Sequence, residues 1–173
     1  MVNVLTPSGL DIALERRGGT VTAFLEDLVG EPVDADVQRH LVTEADASNG
    51  LRVSVGHPLL VRASDLKGRR SGHTYVHAES TIVLSRLPET FRARLETGRD
   101  PIGRILDDEG IAVARVALPD SGTRVLFGSS VPTTVGGHLL HRTYRIDIDG
   151  SPVMVITEWF LNSLQRFLPP HNA

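Results

Sequence analysis

The chain has 173 residues, of which 40% are hydrophobic and 23% charged, and a formal net charge of −3; we therefore expect one globular domain over residues 1–173. The negative charge argues against a nucleic-acid-binding surface, and the absence of cysteine excludes a disulfide framework, a thiolate nucleophile and a cysteine-ligated metal. No apolar run approaches the length of a membrane span and residues 1–4 lack signal-peptide character, so we expect a cytoplasmic protein that does not contact membranes.

The first third of the chain contains one clear helix. Thr20 has the character of an N-cap, and Val21 opens a series of apolar residues at helical spacing. The helix is predicted to end at Gly30. Residues 33–50 are compatible with either a polar strand or a loop.

The middle of the chain predicts a series of strands. Residues 52–57 and 59–66 alternate or run apolar as strands do, and a basic hairpin loop is predicted at 67–72. The next strand, over 74–84, is predicted to be interrupted near Ala78-Glu79. One helix is then expected to begin at Leu87-Pro88 and end at Gly98.

A second short helix is predicted to begin at Pro101, because proline suits the first turn of a helix. Residues 112–118 predict another strand, and residues 119–137 are rich in loop-forming residues. Strands in hairpin order with a few short helices between them are typical of an α+β fold with a mainly antiparallel sheet.

Residues 142–161 predict a β-hairpin with its turn at 149–152. From 153 to 160 both faces of the strand are mostly apolar, which is typical of a central strand covered on both sides. Glu158 interrupts this run. A carboxylate in such a place must be paired, hydrogen-bonded or protonated, so Glu158 is either a functional acid or the structural partner of an arginine.

Arg62 raises the same question with the opposite charge, because it follows the apolar residues 59–61. The pattern alone favours the outward face of an edge strand. Other candidate motifs are weaker: His138 and His141 lack a third ligand at metal spacing, and the basic residues 67–70 are typical of a solvated turn. The sequence contains no phosphate-binding glycine motif and no nucleophile elbow, so no metal and no cofactor are expected.

Five segments in this order and spacing resemble the chorismate pyruvate-lyase family, also called 4-hydroxybenzoate synthetases. The most specific features are the Pro-Ile-Gly turn at 101–103 and the Thr-Glu-Trp-Phe-Leu sequence at 157–161. The five segments are residues 19–22, 60–69, 78–88, 100–106 and 142–161. Their order and spacing span most of the chain, from about Gly19 to Leu161.

The resemblance implies a single antiparallel sheet with helices that form flaps over an internal ligand cavity. It also implies a cofactor-free lyase that converts chorismate, a small-molecule substrate, to 4-hydroxybenzoate and pyruvate. Arg62 matches the arginine that holds the ring carboxylate, and Ile102 and Gly103 match a turn whose backbone N–H groups meet the same carboxylate. Glu158 matches the glutamate at the 4-hydroxyl end, where it would act as acid/base or orient the hydroxyl.

Two residues depart from the family pattern. Val21 stands where many members have a methionine that lines the cavity, and Glu79 stands where some carry an arginine near the enolpyruvyl end. Glu79 is therefore a candidate substrate-binding residue. The departures are also compatible with altered substrate or chemistry in secondary metabolism.

A non-catalytic alternative is an effector-type ligand-binding domain, since effector domains of some bacterial transcription regulators share this fold. No helix-turn-helix segment with a basic face is present in the sequence, which favours the enzyme. We expect a monomer or small homo-oligomer.

Overall fold

Six antiparallel strands form one sheet in the computed structural model, which describes residue 10, residues 13 and 14, residues 16–118 and residues 138–168. The strands are β1 (Val33–Glu44), β2 (Pro58–Gly68), β3 (Thr74–Ile82), β4 (Ala114–Ala117), β5 (His138–Ile148) and β6 (Ser151–Leu161). Their order across the sheet is β1-β2-β3-β6-β5-β4. The α+β prediction is confirmed, and β6 is a central strand as its apolar pattern predicted.

The helices are short. They are α1 (Val21–Val29), α2 (Glu89–Thr97) and α3 (Ile102–Asp108), with 3₁₀ helices at Leu84–Arg86 and Asn162–Phe167. The Thr20 hydroxyl caps α1 by accepting from the Ala23 amide at 3.3 Å, and Gly30 ends it with a φ of 73°. In the described ranges, no helix has the length and apolar character needed to cross a membrane.

The structure differs from the sequence predictions at several strands. Residues 33–44 are a strand, whereas residues 52–57 form turns in which the Gly56 amide donates to the Ala45 carbonyl at 2.8 Å. Strand β3 continues through Ala78-Glu79, because β2 and β6 pair with it on both sides. Strand β2 also extends to Gly68, so the basic loop is shorter than predicted. Residues 119–137 lie outside the described ranges.

One face of the sheet carries two apolar clusters. The first packs around α1 and contains Leu25, Val33, Leu66, Val76, Phe160 and Leu164. The second packs under α2 and α3 and contains Leu60, Ile82, Phe91, Leu95, Ile105 and Met154. Strands β2, β3 and β6 each contribute residues to both clusters, so the clusters lie at opposite ends of these strands.

Polar contacts hold α1 and α3 beside each other. The Thr20 hydroxyl donates to Asp107 Oδ2 at 2.6 Å, which joins the start of α1 to α3. Arg104 on α3 donates to Glu26 Oε1 at 2.7 Å and to Asp34 Oδ1 at 3.1 Å. These bonds fix both helices over the middle of the sheet.

Glu31 organises the turn between β2 and β3. Its carboxylate accepts from the Ser71 hydroxyl, from the Arg70 amide at 2.8 Å, from the Ser71 amide at 3.0 Å and from the Tyr75 hydroxyl at 2.9 Å. The Ser71 hydroxyl is the main cause that lowers the pKa of Glu31 to about 2, against the opposing effect of burial. A Cβ atom on Gly68 would overlap this carboxylate, so a side chain at this position would displace it.

We predict that Glu31→Gln lowers the melting temperature at pH 7, because a neutral amide accepts these bonds more weakly than a carboxylate. A folded pKa of about 2, below the usual 4.5, gives stabilisation that is present above pH 4.5 and is lost as the pH falls toward 2. The difference in melting temperature between the wild type and Glu31→Gln should therefore become smaller as the pH falls from 4.5 toward 2. Glu96→Gln, on the exposed side of α2, is the control. An equal difference at pH 7 and pH 2 would contradict the role of the ionised carboxylate.

Candidate active site

A pocket lies between the two apolar clusters and is covered by the N-terminal ends of α1 and α3. It contains about 480 Å³ of empty space, counted out to its open mouth. We call it the inner pocket; it is lined by Thr20, Val21, Thr22, Arg62, Ser64, Leu66, Ala78, Ser80, Pro101, Ile102, Gly103, Leu106, Arg115, Tyr144, Ile146, Ile156 and Glu158.

The sheet supplies the floor of the inner pocket through alternate residues of neighbouring strands. Arg62 pairs with Ser80, Ser80 pairs with Ile156, and Ile156 pairs with Tyr144, so all four side chains point to the same face. Glu158 lies two residues further along β6 on that face. Strands β2 and β3, which are apolar at both ends, carry small or polar residues in their middle, where the pocket forms, and β6 adds Ile156 and Glu158 to the lining.

Arg62 is almost completely buried, with 1% of its surface exposed. Because β2 lies between β1 and β3, the interpretation of Arg62 as an outward residue on an edge strand is wrong. Its Nη2 donates to the Asp100 carbonyl at 3.1 Å, and its Nε has no hydrogen-bond partner among the described residues. Burial lowers the pKa of Arg62 to about 10, which the Asp100 charge opposes, so the side chain stays positive near neutral pH.

An incompletely paired cation in such a place is costly, and an anion in the pocket would remove that cost. The guanidinium of Arg62 thus gives this end of the inner pocket a buried positive charge whose hydrogen bonds are incomplete.

Glu158 occupies the other end of the inner pocket, and 4% of its surface is exposed. The Tyr144 hydroxyl donates to its Oε1 at 2.8 Å, and Arg142 Nε donates to its Oε2 at 3.0 Å. Burial raises the pKa of Tyr144 well above its usual value, and the Glu158 charge adds to this rise, so Tyr144 remains a hydrogen-bond donor. Glu158 is therefore the partner of an arginine and also lines the pocket, so the structure is compatible with both a structural and a functional role.

Tyr144 and Arg142 were not among the residues that the sequence singled out. The alternation of residues along β5 could have indicated them, because it places both side chains on the pocket face. A register shift between Ile146 and Asp147 sets Arg142 opposite Glu158. Without that shift Arg142 would face Thr157.

Gly103 lies where α3 packs closely against the start of α1. A Cβ atom at Gly103 would lie 2.7 Å from Thr22 Oγ1 and 2.9 Å from Thr20 Cβ. The backbone N–H groups of Ile102 and Gly103 belong to the first turn of α3 and have no acceptor within the helix. Val21, buried at the start of α1, lines the same pocket.

The structure does not bring Glu79 to the inner pocket. Glu79 lies on the opposite face of the sheet, where its Oε1 is 3.4 Å from His77 Nε2. His77 Nδ1 is 2.7 Å from Asp65 Oδ1. Although burial acts to lower the pKa of His77, these two carboxylates raise it to about 9. His141 pairs with Trp159 on this face, and the side chain of His138 is outside the described part of the chain.

The family model described as chorismate pyruvate-lyase Rv2949c-like matches residues 17–168. The chain belongs to this family. A relative named chorismate pyruvate-lyase from Mycobacterium tuberculosis (strain CDC 1551 / Oshkosh) is 34% identical over 126 residues, which are 68% of this chain and 60% of the relative. This chain therefore spans about 60% of the length of that relative. One of the same name from Mycobacterium leprae (strain TN) is 30% identical over 166 residues, 90% of this chain and 76% of the relative.

Solved structures share the fold of this chorismate pyruvate-lyase family member at low sequence identity. PhnF from Mycobacterium smegmatis has a TM-score of 0.52 at 16% identity, with 84% of this chain and 65% of that chain covered. The effector domain of PhnF has a TM-score of 0.51 at 17% identity, with 84% and 90% covered. The single antiparallel sheet with short helices is thus an architecture that other proteins share.

We predict that Gly103→Ala destabilises the protein by about 1–3 kcal/mol, because its Cβ would press α3 away from Thr22 and Thr20. Urea unfolding of Gly103→Ala, Thr22→Ala and the double variant measures this cost and its coupling to Thr22. The double variant should be more stable than the sum of the single effects indicates. Additive effects, or a Gly103→Ala variant as stable as the wild type, would contradict the close approach.

Proposed function

We propose that this protein is a chorismate lyase that forms 4-hydroxybenzoate and pyruvate without a cofactor. The observation that carries the proposal is the buried Arg62, whose Nε has no partner among the described residues, in a pocket whose other end holds the Glu158 carboxylate with its donors Tyr144 and Arg142. This arrangement suits a flat ring with a carboxylate at one end and a hydroxyl at the other. Membership of the family supports the same substrate.

Arg62 supplies the anchor for the ring carboxylate. A guanidinium and a carboxylate are both planar, and the charge-assisted bonds between them are stronger than bonds between neutral groups. The N–H groups of Ile102 and Gly103 would complete the coordination of the carboxylate. Val21 and Ile156 would contact the ring faces, and their burial excludes water around it.

Glu158 supplies the contact at the C4 end. Each of its oxygens already accepts one bond, and an ionised carboxylate has about four acceptor positions. The remaining positions can accept the C4 hydroxyl of the substrate or the proton that leaves C4. Tyr144 and Arg142 hold the carboxylate in place while it does so.

The reaction breaks the bond between C3 and the ether oxygen, and C4 loses its proton as the ring becomes aromatic. The released enolpyruvate takes up a proton on its methylene carbon to become pyruvate, so no net proton or electron is required from outside. Aromatisation supplies much of the driving force. The protein would orient the substrate, exclude water and guide one proton, and in this proposal Glu158 accepts that proton.

The direct test is to incubate the purified protein with chorismate and measure 4-hydroxybenzoate and pyruvate. The wild type should form both products in equal amounts. Glu158→Gln should remain folded, and its turnover per folded molecule should fall by roughly a hundredfold or more. Glu96→Gln is the matched control on the surface. Ligand binding without turnover by the wild type would favour an effector-type domain, and a different product would favour an altered substrate. A Glu158→Gln variant with the wild-type rate would refute proton transfer by Glu158.

We predict that Arg62→Met weakens 4-hydroxybenzoate binding by about 2–5 kcal/mol, because it removes the cation and keeps most of the side-chain volume. Calorimetric titration with 4-hydroxybenzoate and with the neutral 4-hydroxybenzamide measures this effect. The wild type should prefer the acid, and the variant should lose that preference. Arg92→Ala, an exposed arginine on α2, is the control. If the variant kept the preference for the acid, a residue other than Arg62 would have to bind the ligand carboxylate.

A further inference from the structure

A second and larger compartment adjoins the inner pocket. It contains about 1230 Å³ of empty space, open solvent at its mouth included. We call it the outer compartment, and its own lining includes Gly19, Phe24, Ala117, His141, Arg142 and Thr143. Thr20, Val21, Arg115 and Tyr144 line both spaces, so these four residues form the boundary between them.

Arg115 is the cation at this boundary. It pairs with Ile146 across β4 and β5, and Ala117 pairs with Tyr144, so Arg115 points to the pocket face of the sheet. Its side chain is exposed, and within the described ranges no side chain forms a hydrogen bond with its guanidinium. Its positive charge acts on the Tyr144 phenol and opposes the rise in the pKa of Tyr144 that burial causes.

Arg142, a second cation that lines the outer compartment, has a different role. Arg142 donates its Nε to Glu158 at 3.0 Å and thereby holds that carboxylate. Glu79, the candidate from the sequence for the enolpyruvyl end, lies on the opposite face of the sheet. Among the described residues that line the two spaces, Arg115 is therefore the cation that can meet a ligand group extending from the inner pocket into the outer compartment.

This inference rests on the proposed function, in which the ligand is chorismate. Chorismate has such a group. Its enolpyruvyl side chain is attached at C3, next to the C4 hydroxyl, and carries a second carboxylate. If the ring carboxylate binds Arg62 and the hydroxyl binds Glu158, the side chain would extend toward Tyr144, which lines both spaces. We propose that Arg115 binds the second carboxylate and selects the dianionic substrate over the monoanionic product.

This selection has a physical consequence for turnover. The product 4-hydroxybenzoate has no side-chain carboxylate, so it would keep the Arg62 contact and lose the Arg115 contact. Because the Arg115 guanidinium is exposed, its attraction for the substrate is screened by salt, whereas the buried Arg62 contact is screened less. Affinity for chorismate should therefore fall more steeply with salt than affinity for 4-hydroxybenzoate.

The experiment compares the wild type, Arg115→Ala, Arg115→Lys and the control Arg92→Ala. Each protein is assayed for the KM of chorismate at two salt concentrations and for calorimetric binding of 4-hydroxybenzoate. Arg115→Ala should raise the KM for chorismate about tenfold to a hundredfold and reduce its salt dependence, while the Kd for 4-hydroxybenzoate stays within about twofold. Arg115→Lys should recover part of the KM, because it restores the charge and lacks the planar fork.

The outcomes separate the two proposals. A wild type that turns over chorismate, with Arg115→Ala at the wild-type KM, would overturn this inference and leave the proposed function standing. Equal losses for chorismate and 4-hydroxybenzoate would also overturn it, because the effect would then be on the whole pocket. A wild type that leaves chorismate unchanged would overturn the proposed function and this inference with it.

Discussion

The buried guanidinium of Arg62 is the constraint on which the rest of the site depends. A positive charge with 1% of its surface exposed must be held by polar groups, and among the described residues its one hydrogen-bond partner is the Asp100 carbonyl. That bond fixes the segment before α3 against the sheet, and the segment leads into the turn at Ile102 and Gly103. The charge that would bind a carboxylate thus also positions the helix that would cover it. The Nε of Arg62 has no hydrogen-bond partner among the described residues, so this arrangement is incomplete without a further acceptor.

The two apolar clusters make such a polar pocket possible. They lie at opposite ends of β2, β3 and β6, so the sheet is anchored on both sides of the polar middle. The cost of keeping Arg62 and Glu158 away from water is therefore offset by burial of large side chains nearby. The bonds from Thr20 to Asp107 and from Arg104 to Glu26 then hold the covering helices at a fixed distance from this floor.

Much of this arrangement could be predicted from the sequence, because it depends on local patterns. The N-cap at Thr20, the end of α1 at Gly30 and the apolar pattern of β6 each have a direct structural cause. Glu158 could be singled out because a carboxylate in an apolar run requires a partner. The partners themselves could not be predicted, since the register shift between Ile146 and Asp147 decides what faces Glu158. The face of the sheet on which Glu79 lies depends on strand register for the same reason. The burial of Arg62 depends on β2 being an inner strand, and the order of strands is set by long-range pairing.

The central claim is that one ring-shaped ligand bridges Arg62 and Glu158 across the inner pocket. A crystal structure of the protein soaked with 4-hydroxybenzoate tests this claim most directly. The account predicts the ligand carboxylate within hydrogen-bond distance of Arg62 Nε and of the Ile102 and Gly103 N–H groups, with the hydroxyl at Glu158 beside Tyr144. A ligand bound in the reverse orientation, or bound outside the inner pocket with Arg62 Nε still unpaired, would contradict it.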